Sequence, residues 1–511
     1  MNKSINLNKS LSLLLLIIAL LVVLLPQLYL NSFKTDDAYI TFRYATRLAN
    51  GLGLTFNPGE HVEGFSNPLW TLLIAGFVRL FHFDAPLIAH ILGLLFSIGT
   101  ILRIWLLFCN NPKAPYFGLA NFTICMAIIL SNPGFHIYAT AGLEGPLLMF
   151  LITSGVVFSL KHKKSTLILA AIIFSLIGIT RPEGLLYALL WYLFAIWFTD
   201  KKVIPNPFKF VIFAILLLPF IFYEFFRFFY FGSLIPNTGF AKPPGVFGSG
   251  IIALLIYLSP WIFSVITIMT LFILKRKQST DFVSLLRTSI GPIMASVIFV
   301  IYAQGDWMPF GRFITPIWPI VAIVLTVWIH LIIEYLNENQ ILRIYQLSKL
   351  IIAIVFIASS LSAWESQIMA YLRNEKMNML MKGTDQLVVG EWLNKNVKKG
   401  TTVATGRLGG ISYNAPDLIF WDTSGLTDKE EAKFVNQNRP GGFTKDPIWN
   451  RFPELIAAVD VPTTWSYTQN KEFYDWTKTH YSFVRSFPQG NYGSFDIWVR
   501  NDVSSIIFLP K

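Results

Sequence analysis

Cysteine is nearly absent: the 511 residues contain two, Cys109 and Cys125, both in or at the edge of apolar stretches. Neither a disulfide framework nor a zinc site can be built from that pair. Charge is scarce as well. Asp, Glu, Lys and Arg make up 14% of the chain and apolar residues 54%, whereas soluble domains carry about 25% charged residues. That shortfall excludes an ordinary soluble enzyme and calls for long stretches that never meet water. The phosphate-cradling GxxxxGK(S/T) loop and the GxGxxG turn do not occur, and no His/Cys cluster has metal-ligand spacing, so nucleotide-driven chemistry has no support. Acids are the scarcer sign, 29 against 41 Lys and Arg, for a net charge of +12. Such an excess suggests nucleic acid as a partner. The basic residues cluster beside apolar runs, however, where the positive-inside bias of cytoplasmic loops accounts for them, and no nucleic acid is expected.

Apolar runs are what the chain has in abundance. Residues 11–30 (LSLLLLIIALLVVLLPQLYL) reach across a hydrocarbon core of about 30 Å at about 1.5 Å per residue. The run exceeds a signal-peptide core and no small-residue cleavage site follows, so an uncleaved anchor is expected, with Lys3 and Lys9 holding its start inside. Further runs lie near 86–109, 115–131, 143–160, 165–180, 184–199, 209–231, 250–274, 287–304, 314–336 and 348–370. Three basic clusters, at Lys161, Lys163 and Lys164, at Lys201, Lys202 and Lys209, and at Lys275, Arg276 and Lys277, mark cytoplasmic loops. They place 131–142, 181–183, 232–249 and 305–312 outside. Residues 68–83 are apolar too, yet a crossing there would invert every later loop against its charge. That segment, interrupted by Arg79, is expected to lie in the outer interface.

The expected fold class is therefore mostly α: a membrane bundle of about 11 spans over residues 1–370, with the amino terminus cytoplasmic. From residue 371 the composition changes to alternating charged, Gly/Pro and aromatic residues, which predicts a soluble α/β domain outside, over 371–511. A helix near Thr384–Asn396, a strand Thr401–Thr405, a Gly-rich turn and a strand near Leu418–Asp422 are its legible elements.

The outside loops hold the unusual chemistry. In the first, residues 32–68, Thr35, Asp36 and Asp37 sit where a helix would start, and Gly51 and Gly53 where it would stop. Two adjacent carboxylates at the membrane face suit a general base, a metal ligand or both. The macrodipole also favours Asp in a first helical turn without any catalytic role. On the same side lie Glu144 in TAGLEGPLL, Arg181 and Glu183 in TRPEG, Arg227 in YEFFRFFYFG, Lys242 in PNTGFAK, and Asp306 and Arg312 in GDWMPFGRF. A charge at membrane depth costs about 2.5–3.5 kcal/mol by insertion scales, so each should face protein or a cavity. Four cations near one acidic pair suit a lipid-linked phosphate. One residue at a time, plainer roles compete: Glu144 could cap its helix, Arg227 could pair with Glu224, and Arg312 with Asp306.

At these motifs the chain resembles the GT-C class of membrane glycosyltransferases. DDAYITFRYATRLANGLGLTFNPGEHVEGFSNPLWTLL looks like the corresponding stretch of the terminal arabinofuranosyltransferases of cell-wall arabinan, and ATAGLEGPL, TRPEG, YFGSLIPNTGFAK and GDWMPFGRFITP follow in the same order. The likeness covers roughly residues 1–370 and runs on into VATGRLGGISYNAPDLIFWDTSGLTD. It implies an inverting transferase that takes a sugar from a polyprenyl-phosphate donor to a glycan or glycoprotein acceptor at the periplasmic face; the likeness leaves the sugar open, with arabinofuranose the first candidate. Asp36 or Asp37 would be the base, and Glu144, Arg181, Asp306 and Arg312 would line the donor cavity. No cofactor is certain, and a divalent cation on Asp36 or Asp37 stays open. The chain departs from the pattern at Gly145, where Thr is more frequent, and at Phe310, where Gly is commoner. Sequons occur only at Asn2, Asn8 and Asn121, none in an outside region, which favours a bacterial inner membrane. A flippase or transporter for lipid-linked glycan and a non-catalytic glycan-binding envelope protein are the rival readings.

Overall fold

The computed structural model describes residues 2–29, 34–109, 118–130, 132–241, 280–304, 308, 310–338, 386–438, 447–460, 471–488 and 493–509. Helix α1 runs over Asn2–Tyr29, α2 over Asp36–Ala49, α3 over Pro68–Phe81, α4 over Ala85–Cys109 and α5 over Leu119–Leu130. After them come α6 (Pro133–Thr140), α7 (Gly145–Ser159), α8 (Lys164–Gly178), α9 (Gly184–Trp191, continued by a π-helical turn Tyr192–Trp197), α10 (Asn206–Phe231) and α11 (Asn237–Ala241). Two more long helices, Thr280–Ala303 and Trp318–Glu338, complete the described part of the bundle.

Among the described residues three helices are long and apolar enough to cross a bilayer by themselves: Ala85–Cys109, Asn206–Phe231 and Phe282–Ala303. The expected runs at 250–274 and 348–370 lie outside the described residues. Helix α10 turns Phe222, Phe225 and Phe229 outward, the last 79% exposed, as a lipid-facing helix should. Helix α3 has 14 residues, about 21 Å at 1.5 Å per residue, and is too short to cross. It ends at His82, whose left-handed φ of 58° stops it, and Arg79 donates to the Ala49 carbonyl at 3.2 Å. Where a loop was expected over 131–142, the chain instead forms α6, bent 68° from α5. Its cause is local: Pro133 opens α6, and the Asn132 side chain accepts from the Gly134 amide at 2.8 Å.

Past residue 386 the chain forms a five-stranded sheet in the order β2-β1-β3-β5-β4, with β1 Thr402–Thr405, β2 Ile419–Asp422, β3 Leu455–Asp460, β4 Tyr481–Pro488 and β5 Ser494–Arg500. Strand β1 is parallel to β2 and β3, while β5 is antiparallel to β3 and β4. One apolar cluster joins Ile40, Tyr44, Phe56 and Phe65 of the first loop to Val403, Phe420 and Leu455 of the sheet region.

Arg43 of α2 locks the two together. Its guanidinium donates to the carbonyls of Phe56 (3.0 Å), Ser412, Ala415 (3.2 Å) and Leu418 (3.0 Å), and lies over the rings of Phe56 and Phe420. The Asn57 amide exchanges both hydrogen bonds with the backbone of Phe420, at 2.7 and 3.0 Å. Asn237 donates to the carbonyls of Gly425 and Leu426 at 2.8 and 3.0 Å. These groups leave water only because each finds a partner.

Candidate active site

Helix α2 starts at Asp36 because Thr35 is extended (φ −74°, ψ 152°) and its amide is tied to the Ala141 carbonyl at 3.1 Å. The turn carrying Ala141 is itself pinned. Trp70 donates from its indole to Gly142 O at 2.9 Å, and Gly142 takes a φ of +86° that a side chain would strain. The start of α2, which carries both carboxylates, is thereby held against the turn between α6 and α7. The two carboxylates face different ways: Asp36 Oδ1 accepts the Gly410 amide at 2.9 Å, whereas Asp37 Oδ2 lies 4.0 Å from the Arg312 guanidinium.

Burial pushes the Asp36 carboxyl up to about 6, with the Asp37 charge adding and the Gly410 amide and Arg407 opposing. Lys34, just before, is buried and its ammonium is lowered to about 8, by desolvation against the partial support of Asp84. Sequence reasoning passed over Lys34. A cation two residues before the Asp pair was the signal that could have found it.

Arg181 sits in the turn between α8 and α9 and pairs with both Glu144 and Glu183. Glu144 does not cap α7 with its side chain; its second oxygen accepts the Asn67 amide at 2.7 Å. Asn67 in turn accepts the hydroxyls of Thr41 and Thr71, each at 3.1 Å. This relay ties α2 and α3 to the Glu144–Arg181 pair. Asn67 was a residue the sequence did not mark as functional, its Asn-Pro context reading as a turn.

Glu144, Glu183, Arg181 and Arg312 line one narrow cleft with Tyr138 and Phe313, with room for about 10 Å³, water-sized. The Phe313 ring carries both guanidiniums, Arg181 at 5.3 Å and Arg312 at 4.8 Å from its centroid. An aromatic face holds cations in place without neutralising them. Arg312 follows Phe310 and Gly311, both at a φ of 64°. Left-handed backbone suits glycine, so Phe310 occupies a position where Gly is the easier residue.

Arg227 goes elsewhere. It pairs with Glu63 and with Glu224, and Tyr223 donates to the same Glu63 at 2.6 Å. Lys242 and Asp306 lie outside the described residues. Of the aromatics, Trp476 packs on Trp449 and Phe473, and Trp421 lies beneath Arg451 at 4.9 Å. Among the described residues no three His, Cys, Asp or Glu side chains converge as a metal would need. Of the two acids left open for a cation, Asp36 accepts the Gly410 amide and Asp37 faces Arg312.

Long apolar helices, short helices between them and a sheet region docked on the first loop together make a fold shared with ArnT. The chain matches ArnT from Cupriavidus metallidurans bound to undecaprenyl phosphate at a TM-score of 0.55 and 12% identity, over 98% of this chain and 99% of that one. ArnT in the apo state matches at 0.55 and 12%, over 95% and 97%. An oligosaccharyltransferase from Archaeoglobus fulgidus, in complex with Zn and sulfate, gives 0.49 and 12% over 94% of this chain and 73% of that one. A protein-family profile described as a domain of unknown function (DUF8728) covers residues 375–504. Among curated proteins, none matches the sequence.

Proposed function

We propose that the chain is an inverting glycosyltransferase that moves a sugar from a polyprenyl-phosphate donor to a hydroxyl of a cell-envelope glycan or glycoprotein at the periplasmic face of a bacterial inner membrane. Arabinofuranose is the sugar assigned, on the sequence likeness alone. The observation that carries the reading is Asp37 facing Arg312, with Arg181 held against the same Phe313 ring as Arg312. A carboxylate beside two fixed cations is what a displacement at a phosphate-activated anomeric carbon needs.

In this reading Asp37 takes the acceptor hydroxyl proton as that oxygen attacks the anomeric carbon. The bond from carbon to phosphate oxygen breaks, the configuration inverts in one displacement, and polyprenyl phosphate leaves with the electron pair. Arg181 and Arg312 neutralise the departing phosphate. Lys242 and Asp306 are kept as donor-site residues on sequence grounds. Glu144, Glu183 and Asn67 hold Arg181 in position, and Arg227, occupied by Glu63 and Glu224, is assigned to bracing the first loop. ArnT, whose structure holds undecaprenyl phosphate, supports a lipid-phosphate donor.

The test uses purified protein in detergent with radiolabelled polyprenyl-phosphate sugars and a panel of acceptors. A transferase consumes donor and releases polyprenyl phosphate, and Asp37→Ala lowers turnover by about 10²–10⁴-fold, the usual worth of a general base. Donor left intact by folded wild-type protein across the panel would favour the flippase or the glycan-binding reading instead.

A further inference from the structure

The Asp36 carboxylate is held from the far side of the chain. Gly410 donates to it at 2.9 Å. A Cβ at Gly409 would fall 2.0 Å from the Asp36 carbonyl oxygen and 2.4 Å from its Oδ1, so only glycine permits that approach. The Arg407 guanidinium lies within electrostatic reach of the same carboxylate. Arg407 lies in the short connection after β1, and Gly409 and Gly410 open the helix Gly409–Asn414 that follows, inside the stretch covered by the domain of unknown function, 375–504.

Two neighbouring carboxylates repel one another and would compete for the Arg312 cation. The Gly410 amide removes that competition by engaging Asp36, with the Arg407 charge adding to it electrostatically, which leaves Asp37 facing Arg312. The same amide also fixes the first turn of α2 from above, opposite the Thr35 to Ala141 hydrogen bond of 3.1 Å that fixes it from below. A displacement of about 1 Å at a reacting group can cost about 10²-fold in rate, so a clamp on this turn bears directly on chemistry.

We propose that the segment Arg407–Gly410 is a positioning element of the catalytic centre, and that the region of unknown function serves the chemical step by aiming the Asp36–Asp37 turn. This rests on the transferase reading above, with Arg407 acting through Asp36 and not on substrate. Deleting the whole region is no test, because it would strand the buried guanidinium of Arg43 and unfold α2 with it.

The experiment compares full-length wild type, Arg407→Ala, Arg407→Lys and Gly409→Ala by steady-state kinetics and by hydrogen exchange of the α2 amides. Arg407→Ala lowers kcat by about 10-fold with donor and acceptor KM within twofold of wild type, and Arg407→Lys recovers most of the loss. Amides of residues 36–40 exchange faster in Arg407→Ala and Gly409→Ala, while those of α4 and α7 keep their protection. A raised acceptor KM at unchanged kcat would overturn the proposal and make Arg407 a substrate contact. Unchanged exchange at 36–40 would overturn it too, even if no sugar donor were turned over, since that readout stands apart from activity.

Discussion

Asp36 and Asp37 look equivalent as letters and are opposites in place. Asp36 is bound to a backbone amide and pushed up to about 6 chiefly by burial, while Asp37 faces a cation. A carboxyl whose folded value stands above its unfolded 3.8 binds its proton more tightly in the folded state. Its contribution therefore weakens folding as pH rises from about 4 to about 6, and that cost is full above the window. Asp36→Asn, which keeps an oxygen for Gly410, should raise the thermal midpoint by a few degrees at pH 7 and leave it unchanged below pH 4. A midpoint that does not rise at pH 7 would show that the Gly410 and Arg407 contacts already offset the burial. The doublet and its helix-start position were legible because a carboxylate pair beside Thr35 is a local pattern. Their division of labour was not, since Gly410 is 374 residues away from Asp36.

Among elements, α2 carries the connection between membrane part and sheet. Its limits, Asp36 and Ala49, agree with the expected start at the acids and stop before Gly51, because caps and glycine turns are short-range chemistry. What the periodicity could not disclose is that Arg43, one of two arginines on a polar-looking helix, is 3% exposed and donates into the 412–418 segment. Arg43→Ala should cost about 3 kcal/mol or more, since it removes several charge-assisted hydrogen bonds and strands their buried carbonyls. Limited proteolysis measures this as faster cleavage within 386–438. A variant as resistant as wild type would assign the docking to the apolar cluster instead. The expected loop at 131–142 went astray for a different reason: Asn-Pro-Gly reads as a turn and equally opens α6, with Asn132 accepting from the Gly134 amide.

For the whole molecule, the bundle with its sheet region has the GT-C fold that the sequence likeness implied, matching ArnT over 98% of the chain. The proposed orientation puts the sheet region on the periplasmic side. Lys395 is 68% exposed at its side chain and pairs only with Glu391 one turn earlier among the contacts described, so Lys395→Cys makes a neutral reporter. In intact spheroplasts an impermeant maleimide should label it, provided Cys109 and Cys125 are first replaced. Labelling only after lysis would invert the topology and with it the assignment of a lipid-linked donor.

Sequence alone determined that the chain is a bundle of apolar helices, because hydropathy is a local property that the bilayer reads directly, and its motifs carried the likeness to the GT-C class. It also marked Glu144, Arg181, Glu183 and Arg312 as residues of one face. Tertiary structure decided which charges meet. It gathered those four around Phe313, sent Arg227 to Glu63, and brought Gly410 onto Asp36. Such pairings follow from the lowest-energy way to satisfy every buried charge at once, a condition on the folded whole that no stretch of sequence states.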